Sequence, residues 1–440
     1  MAQRAIREYD AKRMLARYLP EYSGGRFSYH GRLVPVTPET DLDRLPEEHP
    51  WLNEEKLVAK PDQLFGKRGK NGLLLVNADY PAVKEWIKER MGKETVVHRS
   101  FDANGNPTDE GIKGVLDHFL IEPMIPHEEK DEYFLSINGY LEGDRIYFST
   151  AGGVDIESNR DSLITIDVPI DSDLDKFDFR TPLSDQLSGD ELETMAEFIR
   201  AIMKFYADLH FGSLEFNPLV IVGDSVVPLD IKARLDDTAA FVCADKWGDI
   251  EFPAPFGRTS RPEEEYIKSL DEKSGASLKL TILNPKGRVW TMVAGGGASV
   301  IYADTVVDLG LGDELANYGE YSGNPSTDET REYAKTILDL MTREKDPRGK
   351  VLIIGGGIAN FTDVAKTFDG IIQALEEYAD KIKENNIKIY VRRGGPNYKV
   401  GLARIKEAAE RLGLDMDVGG PEMHMTTPVR KASEMLKGGE

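Results

Sequence analysis

A chain of 440 residues is too long for one core at roughly 150 residues per domain, so two or three domains are expected and a small binding module is excluded. Against 55 Lys and Arg stand 77 Asp and Glu, a formal charge of −22 that repels polyphosphate backbones; with no run of five or more basic residues to counter that field, nucleic acid is excluded as a partner. Apolar residues at 40% and aromatics at 9% supply ordinary packed cores, and no apolar stretch approaches the roughly 18 residues of a membrane span. The lone cysteine, Cys243, has no internal disulfide partner, and the first residues lack the apolar core of a signal peptide. A cytoplasmic location is the expectation.

In chain order, Leu-Val-Ala-Lys at 57–60 and Gly-Leu-Leu-Leu-Val at 72–76 are short apolar strands, and Pro81 opens a helix to about Met91. The runs starting at Phe119 and Glu132 are separated by an acidic turn, and a further strand starts at Arg145; together they predict an antiparallel sheet. Leu192, Met195, Ile199, Ile202, Phe205 and Leu209 recur at helical steps and predict one amphipathic helix over 191–209. Residues 214–232 read as a hairpin. With Gly223 and Asp224 as its two-residue turn, facing positions sum to 447, which sets Asn217 opposite Asp230 with Glu215 on the same face. Two such oxygens suit Mg²⁺, which takes one or two protein ligands plus substrate phosphates; a solvated face whose acids meet Lys232 is the plain alternative. Lys60 and the Lys-Arg-Gly-Lys turn at 67–70 place cations where a phosphate can be gripped, with Gly69 allowing close backbone approach.

Pro253, Pro255 and Pro262, near Gly248 and Gly257, mark a connector. The boundaries expected are 1–245 for a first domain in two subdomains, 246–274 for the connector, 275–425 for a second domain and 426–440 for a tail. Beyond the connector, three apolar strands each run into glycines and then a helix: 289–294 before Gly295, Gly296 and Gly297, 351–354 before Gly355, and 387–391 before Gly394. Such alternation predicts a doubly wound parallel sheet with ligands at the carboxyl ends of its strands. Ser326 with Glu329 forms a capping box for the helix of the first crossover. The dinucleotide spacing G-x-G-x-x-G fails, because Asn360 and Val300 stand at its third glycine. What remains is anion chemistry: Asn360 and Thr362 are expected to open a helix whose free N–H groups attract negative charge, and Arg393, ending the third strand, can grip a carboxylate bidentately. The cleft suits a compact polycarboxylate. Seven histidines, His30, His49, His98, His118, His127, His210 and His424, include none in a Gly-rich exposed turn suited to carrying a phosphoryl group, and no Ser-His-Asp order or Cys nucleophile stands out.

Several longer motifs resemble ATP-citrate lyase: Lys-Pro-Asp-Gln-Leu at 60–64, Leu-Ile-Glu-Pro at 120–123, Glu-Phe-Asn-Pro-Leu-Val at 215–220, Lys-Trp-Gly-Asp-Ile-Glu-Phe-Pro at 246–253 and Lys-Ser-Gly-Ala-Ser at 273–277. The second part adds Thr-Met-Val-Ala-Gly-Gly-Gly-Ala-Ser at 291–299, Asn-Tyr-Gly-Glu-Tyr-Ser-Gly at 317–323, Ile-Ala-Asn-Phe-Thr at 358–362 and Val-Arg-Arg-Gly-Gly-Pro-Asn-Tyr at 391–398. The resemblance is to the amino-terminal portion of that enzyme, which in some organisms is a separate subunit. It implies an α/β chain: an ATP-grasp fold related to the succinyl-CoA synthetase β subunit, then a flavodoxin-like citrate domain. It further implies ATP contacts from Lys60, Arg68, Gly69, Glu122, Pro123, Ile125 and Glu132, and Mg²⁺ at Asn217 and Asp230. A second metal position is implied at Asp271, Ser274 and Ala276. Citrate is implied among Gly295, Gly296, Gly297, Ser322, Gly323, Asn360, Phe361, Thr362 and Arg393, with Tyr378 at its edge.

In the family, ATP phosphorylates a histidine, the phosphoryl group passes to citrate, CoA displaces phosphate, and citryl-CoA is cleaved to acetyl-CoA and oxaloacetate. The implied partner is a second subunit holding the phosphohistidine, the CoA site and the cleavage domain, in a heteromer built on a tetrameric partner core. The lack of a suitable histidine here agrees with that. A citryl-CoA synthetase or succinyl-CoA synthetase β-type subunit is the enzyme alternative, and a non-catalytic citrate sensor a further one, which would not need the Asn217 and Asp230 pair.

Overall fold

Strand Phe211–Val222 turns through Gly223 and Asp224 into Ser225–Pro228 and then Ile231–Asp236, and every facing pair from Val222 with Ser225 to Ser213 with Arg234 sums to 447. The computed structural model describes residues 3–102, 104–153, 163–258 and 260–438. It divides into two compact units, Met1–Thr259 and Ser260–Glu440.

The first unit holds two main antiparallel sheets beside a two-stranded one, Lys93–Val97 with Ile112–Leu116. The larger runs in the order Gln3–Ile6, Ile231–Asp236, Phe211–Val222, Glu132–Tyr140, Gly143–Ser149, Ile164–Pro169. Helices Glu8–Tyr22 and Gly189–Asp208 pack on it, the latter burying Leu192, Met195, Ile199, Ile202 and Phe205 as its periodicity predicts. Cys243 is a free thiol buried in the same core. The smaller sheet runs Val34–Val36, Phe119–Pro123, Leu57–Pro61, Leu75–Ala78, backed by helix Tyr80–Arg90, whose amino terminus Asp79 caps. One expectation is corrected here. The strands beginning at Phe119 and Glu132 do not share a sheet: Phe119–Pro123 lies inside the smaller one and Glu132–Tyr140 belongs to the larger, so the segment between them passes from sheet to sheet. The strand expected over 72–76 starts later, at Leu75, because 69–72 close a turn through the Gly72 N–H to the Gly69 carbonyl.

In the second unit, Val289–Ala294, Lys350–Gly356, Ile387–Arg392 and Met416–Gly419 form a parallel sheet in that order. An antiparallel pair, Ser277–Ile282 with Asn317–Ser322, flanks its first strand, where the Asn317 amide bonds both the N–H and the carbonyl of Thr291 at 2.8 Å. Side chains alternate across the sheet. Trp290, Met292, Leu352 and Ile354 meet helices Thr327–Thr342, Val364–Glu384 and Tyr398–Leu412, whereas Val289, Val293, Val351 and Ile353 meet Gly296–Asp308 and Thr427–Lys437. The crossovers leaving Val289–Ala294 and Lys350–Gly356 therefore part to opposite faces, and a crevice opens between their carboxyl ends.

Two boundaries move. Helix Pro262–Asp271, expected within the connector, buries Ile267 in the second unit's core, and Glu264 accepts the Ile282 N–H. Helix Thr427–Lys437, expected as tail, buries Val429, Ala432 and Leu436. Both are parts of the domain. The Ser326 capping box forms as read, with the Glu329 N–H donating to Ser326 Oγ and the Ser326 N–H donating to Glu329 Oε2.

Candidate functional site: a charged pocket and a crevice

Between the two sheets of the first unit lies a cavity of about 550 Å³. Lys60, Glu122 and Pro123 reach it from the smaller sheet, Glu132, Glu215, Asn217, Asp230 and Lys232 from the larger, and Arg68, Gly69 and Ile125 from the loops. All seven residues expected to contact nucleotide, and both expected metal ligands, thus line one wall or another of it.

Its floor is a buried ion network that centres on Glu8. Glu8 Oε1 accepts from Lys12 at 2.8 Å and Lys60 at 2.7 Å, and Oε2 from Arg68 at 2.6 Å. Glu122 closes the other side, 2.6 Å from Lys12 and 2.8 Å from Lys60. Its carboxylate thus faces inward. Lys12 and Lys60 also donate to the Leu229 carbonyl at 2.9 and 2.8 Å, so the backbone beside Asp230 is tied to the same cations. Burial alone would raise the Glu8 carboxyl, but Lys12, Lys60 and Arg68 hold it well below the carboxylate range. Asp230 is in the opposite position: burial and the Glu8 charge push it up, although Arg68 Nη1 stands 3.3 Å away. A carboxylate whose charge stays disfavoured although Arg68, Lys60 and Lys232 act on it, and which faces a cavity, fits a divalent cation. Asn217, directly opposite, accepts the Gly153 N–H at 2.7 Å on its Oδ1 and donates its Nδ2 to the Gly153 carbonyl at 3.0 Å. Glu215 pairs with Lys232 at 2.6 Å, the plain role foreseen for an acid on that face.

His30 lines the same cavity and stacks on Tyr29 with ring centroids 4.2 Å apart. Burial depresses its imidazole from the ordinary 6.5 to about 4. Between those values the unfolded chain binds a proton the folded one refuses, so the His30 contribution to stability is complete above about pH 6.5 and is lost as pH falls toward 4. Urea denaturation across pH 4–7 should show a shallower pH slope for His30→Phe than for the parent.

The crevice of the second unit has a volume of about 360 Å³ and is lined by Ala294, Gly295, Ala298, Ser322, Gly323, Gly357, Ile358, Ala359, Phe361, Thr362 and Arg393. Arg393 is only 1% exposed, yet its Nε and Nη2 have no hydrogen-bond acceptor among the described residues. Buried guanidinium nitrogens are costly without an acceptor, and these belong to a side chain on the wall of a cavity. Gly356 lets the arginine lie there, since a Cβ at that position would come within 2.4 Å of Arg393 Nη1. The neighbouring Arg392 by contrast donates from each of its three nitrogens, to the carbonyls of Met423, Gly356 and Pro421.

Family models match nearly the whole chain: the ATP-citrate synthase ATP-grasp domain over residues 2–247 and the ATP citrate lyase citrate-binding domain over 258–435. The chain belongs to the ATP-citrate synthase family. It is 48% identical to ATP-citrate synthase alpha chain protein 2 of Arabidopsis thaliana over 436 residues, 99% of each chain. It is 49% identical to ATP-citrate synthase of Bos taurus, matching 98% of this chain but 38% of that one. The chain therefore spans well under half the length of the mammalian relatives. Among solved structures, ATP citrate lyase from Methanothrix soehngenii in complex with citrate and coenzyme A superposes with a TM-score of 0.87 at 54% identity, over 98% of this chain and 100% of that one. A variant from Methanosaeta concilii in complex with (3S)-citryl-CoA gives 0.86 at 51%.

For an ATP-citrate synthase chain, several expected positions change. Asn360 and Thr362 do not open the helix after the second strand: Val364–Glu384 is capped by Asp363, which accepts the Lys366 N–H, and Thr362 instead lines the crevice while Asn360 does not. Gly296 and Gly297 form the first turn of Gly296–Asp308, next to the crevice. Tyr378 is away from it, on the helix packed against the core, with Lys381 Nζ 5.0 Å from its ring centre. Asp271, Ser274 and Ala276 share one turn. Asp271 accepts the Leu278 N–H at 2.8 Å and pairs with Lys279 at 2.5 Å, and Ser274 Oγ accepts the Ala276 N–H.

Sequence reasoning missed Glu8, Lys12, Tyr29 and His30. Glu8 and Lys12 did leave a signal: they stand on the same helical stripe as Leu15 and Leu19, and charges in an apolar stripe call for buried partners.

Proposed function

We propose that this chain is the ATP- and citrate-binding subunit of an ATP-citrate lyase, active in the cytosol with a second subunit that supplies the phosphohistidine, the CoA site and the cleavage domain. The overall reaction converts citrate, ATP and CoA to acetyl-CoA, oxaloacetate, ADP and phosphate. The single observation that carries the reading is the pairing, in one chain, of a pocket lined by Lys60 and Arg68 in an ATP-grasp unit with a buried arginine, unsatisfied among the described residues, at the switch point of a second unit.

In the first unit, Lys60 and Arg68 would meet the nucleotide phosphates, the Gly69 backbone would approach them, and residues 122–125 with Glu132 would frame adenine and ribose. Lys60 and Arg68 are already held in place by Glu8, so little ordering remains when phosphate arrives. Asp230 and Asn217 would hold Mg²⁺, which, when bound, neutralises charge on the phosphates in transfer. In the second unit, Arg393 would grip one citrate carboxylate, with the amino-terminal N–H groups of Gly296–Asp308 favouring another.

The test is reconstitution: the chain purified with its partner should form acetyl-CoA from citrate, ATP and CoA, and release of an acyl-CoA without cleavage would transfer the assignment to a ligase. On the citrate side, Arg393→Ala should weaken citrate binding in calorimetry by roughly 100-fold, about 3 kcal/mol, while ATP affinity stays at the parent value. Equal citrate affinity in both chains would remove Arg393 from the site.

A further inference from the structure

The proline-rich segment 247–257 is anchored to both walls of the cavity in the first unit. Its beginning belongs to the larger sheet. Trp247 is buried in that sheet's core, where its Nε1 donates to the Leu209 carbonyl at 2.9 Å and its ring meets Phe252 edge-on at 6.3 Å. Three arginines that bracket Glu8 in the chain reach for the same stretch. Arg13 Nη2 donates to the Trp247 carbonyl at 2.9 Å, Arg7 Nη1 to Glu251 at 2.6 Å, and Arg4 Nη2 to the Phe252 carbonyl at 3.0 Å, with the Arg4 guanidinium 4.6 Å from the centre of the Phe252 ring. The end of the segment belongs to the smaller sheet. Phe256 is buried in that core, its ring 4.7 Å from the ring of Phe65. The seat is tight enough to need glycine twice: a Cβ on Gly114 would come within 2.8 Å of the Phe256 ring, and one on Gly257 within 2.4 Å of the Lys113 carbonyl oxygen.

Between the anchors Phe252 and Phe256 lie only Pro253, Ala254 and Pro255. Four residue steps span at most about 14 Å, and proline fixes φ at two of the positions, so the tether is short and stiff. What it joins bears on the cavity. Phe65 precedes by three residues Arg68, whose guanidinium meets Glu8 at 2.6 Å, and the arginines at the other anchor flank Glu8 itself. The segment thus holds both partners of that ion pair, one through each end, while its own residues stay outside the cavity lining.

We propose that 247–257 is a strap that positions the phosphate-gripping turn: by seating Phe256 on Phe65 it holds the Arg68 turn against Glu8 and limits how far the two walls of the cavity part. Phe256 is a positioning residue that acts through Phe65. The proposal rests on the nucleotide reading of the cavity. Loosening the strap leaves every phosphate contact in place but lets the walls part more often, so bound nucleotide escapes faster.

Stopped-flow dissociation of N-methylanthraniloyl-ATP from the intact chain with Mg²⁺, chased with excess ATP, reads that escape. Pro253→Gly combined with Pro255→Gly keeps every anchor and should speed dissociation roughly 5- to 10-fold. Phe256→Leu keeps an apolar seat without the ring contact and should speed it at least as much. Glycine for proline also lowers the unfolding midpoint through the freedom of the unfolded chain, but that effect leaves escape from the folded chain untouched, so a thermal scan beside the kinetics separates the two. A parent that does not bind the probe refutes the nucleotide reading. Parent dissociation rates in both variants overturn the strap. Faster escape in Phe256→Leu with an unchanged rate in the proline pair overturns the tether and assigns the effect to packing on Phe65 alone.

Discussion

Asp230→Ala, assembled with the partner subunit, is expected to lose ATP-dependent phosphorylation of the partner by roughly 10²–10³-fold while binding citrate as the parent does. Asp230 faces the cavity opposite Asn217, and burial with the Glu8 charge already raises its carboxyl, so it gains most from an added cation. The same substitution removes one of the two carboxylates beside Arg68, which remains tied to Glu8 at 2.6 Å. Arg68 should therefore stay in place, and the loss should reside in the transfer step rather than in nucleotide binding. Asp230→Asn separates charge from shape: a defect as deep as that of alanine would assign the effect to charge. Transfer of radiolabelled phosphoryl from ATP is the measurement, and an unchanged rate in Asp230→Ala would end the metal assignment at this position.

The second large effect is on stability. Glu8 is 3% exposed and meets three buried cations, Lys12, Lys60 and Arg68. Glu8→Ala leaves Glu122 and Asp230 to compensate all three, and breaking a buried pair in this way costs about 3–5 kcal/mol because charge is left uncompensated. In a unit of this size that corresponds to a fall of roughly 10 °C in unfolding midpoint. Calorimetric scans of parent and variant would show it. The sign with pH follows from the depressed carboxyl of Glu8: its contribution is whole above the ordinary carboxylate range and is lost only as pH falls through its lower value in the folded chain. ATP at saturating concentration should restore part of the midpoint, since the phosphates would bring counter-charge to Lys60 and Arg68. A variant as stable as its parent would mean that Glu122 and Asp230 suffice for all three cations.

Local rules carried much of the way. The turn at Gly223 and Asp224 determined a register that extends unbroken from Val222 to Ser213, because hairpin pairing depends on neighbours in sequence. The same holds for the Ser326 cap and for the three strands that run into glycine turns, whose order and doubly wound packing placed the crevice. Failures came where the partner is remote. Phe119–Pro123 and Glu132–Tyr140 are adjacent in sequence but belong to different sheets, a choice made by Leu57–Pro61 and Phe211–Val222, far away in the chain. Asn360 lost the cap to Asp363, three residues on, because Asn397 and Asn324 hold Asp363 and its N–H in place. Ser322 and Gly323 came only through resemblance, since nothing in their spacing says that Asn317–Ser322 lies beside Val289–Ala294. Tyr378 and the Asp271 turn likewise came only through resemblance, and the folded chain gives them Lys381 and Lys279 as neighbours.

The Glu8 network bears on how the chain can be handled. Gln3–Ile6 pairs with Ile231–Asp236, the strand directly after Asp230, and Glu8 follows two residues after Ile6. The first turn of the helix is itself anchored, since the N–H groups of Glu8 and Tyr9 donate to Asp62. Trimming eight residues from the start would strip a strand from the larger sheet and the shared counter-ion from Lys12, Lys60 and Arg68 together. For this chain, an amino-terminal truncation is a mutation of the pocket floor.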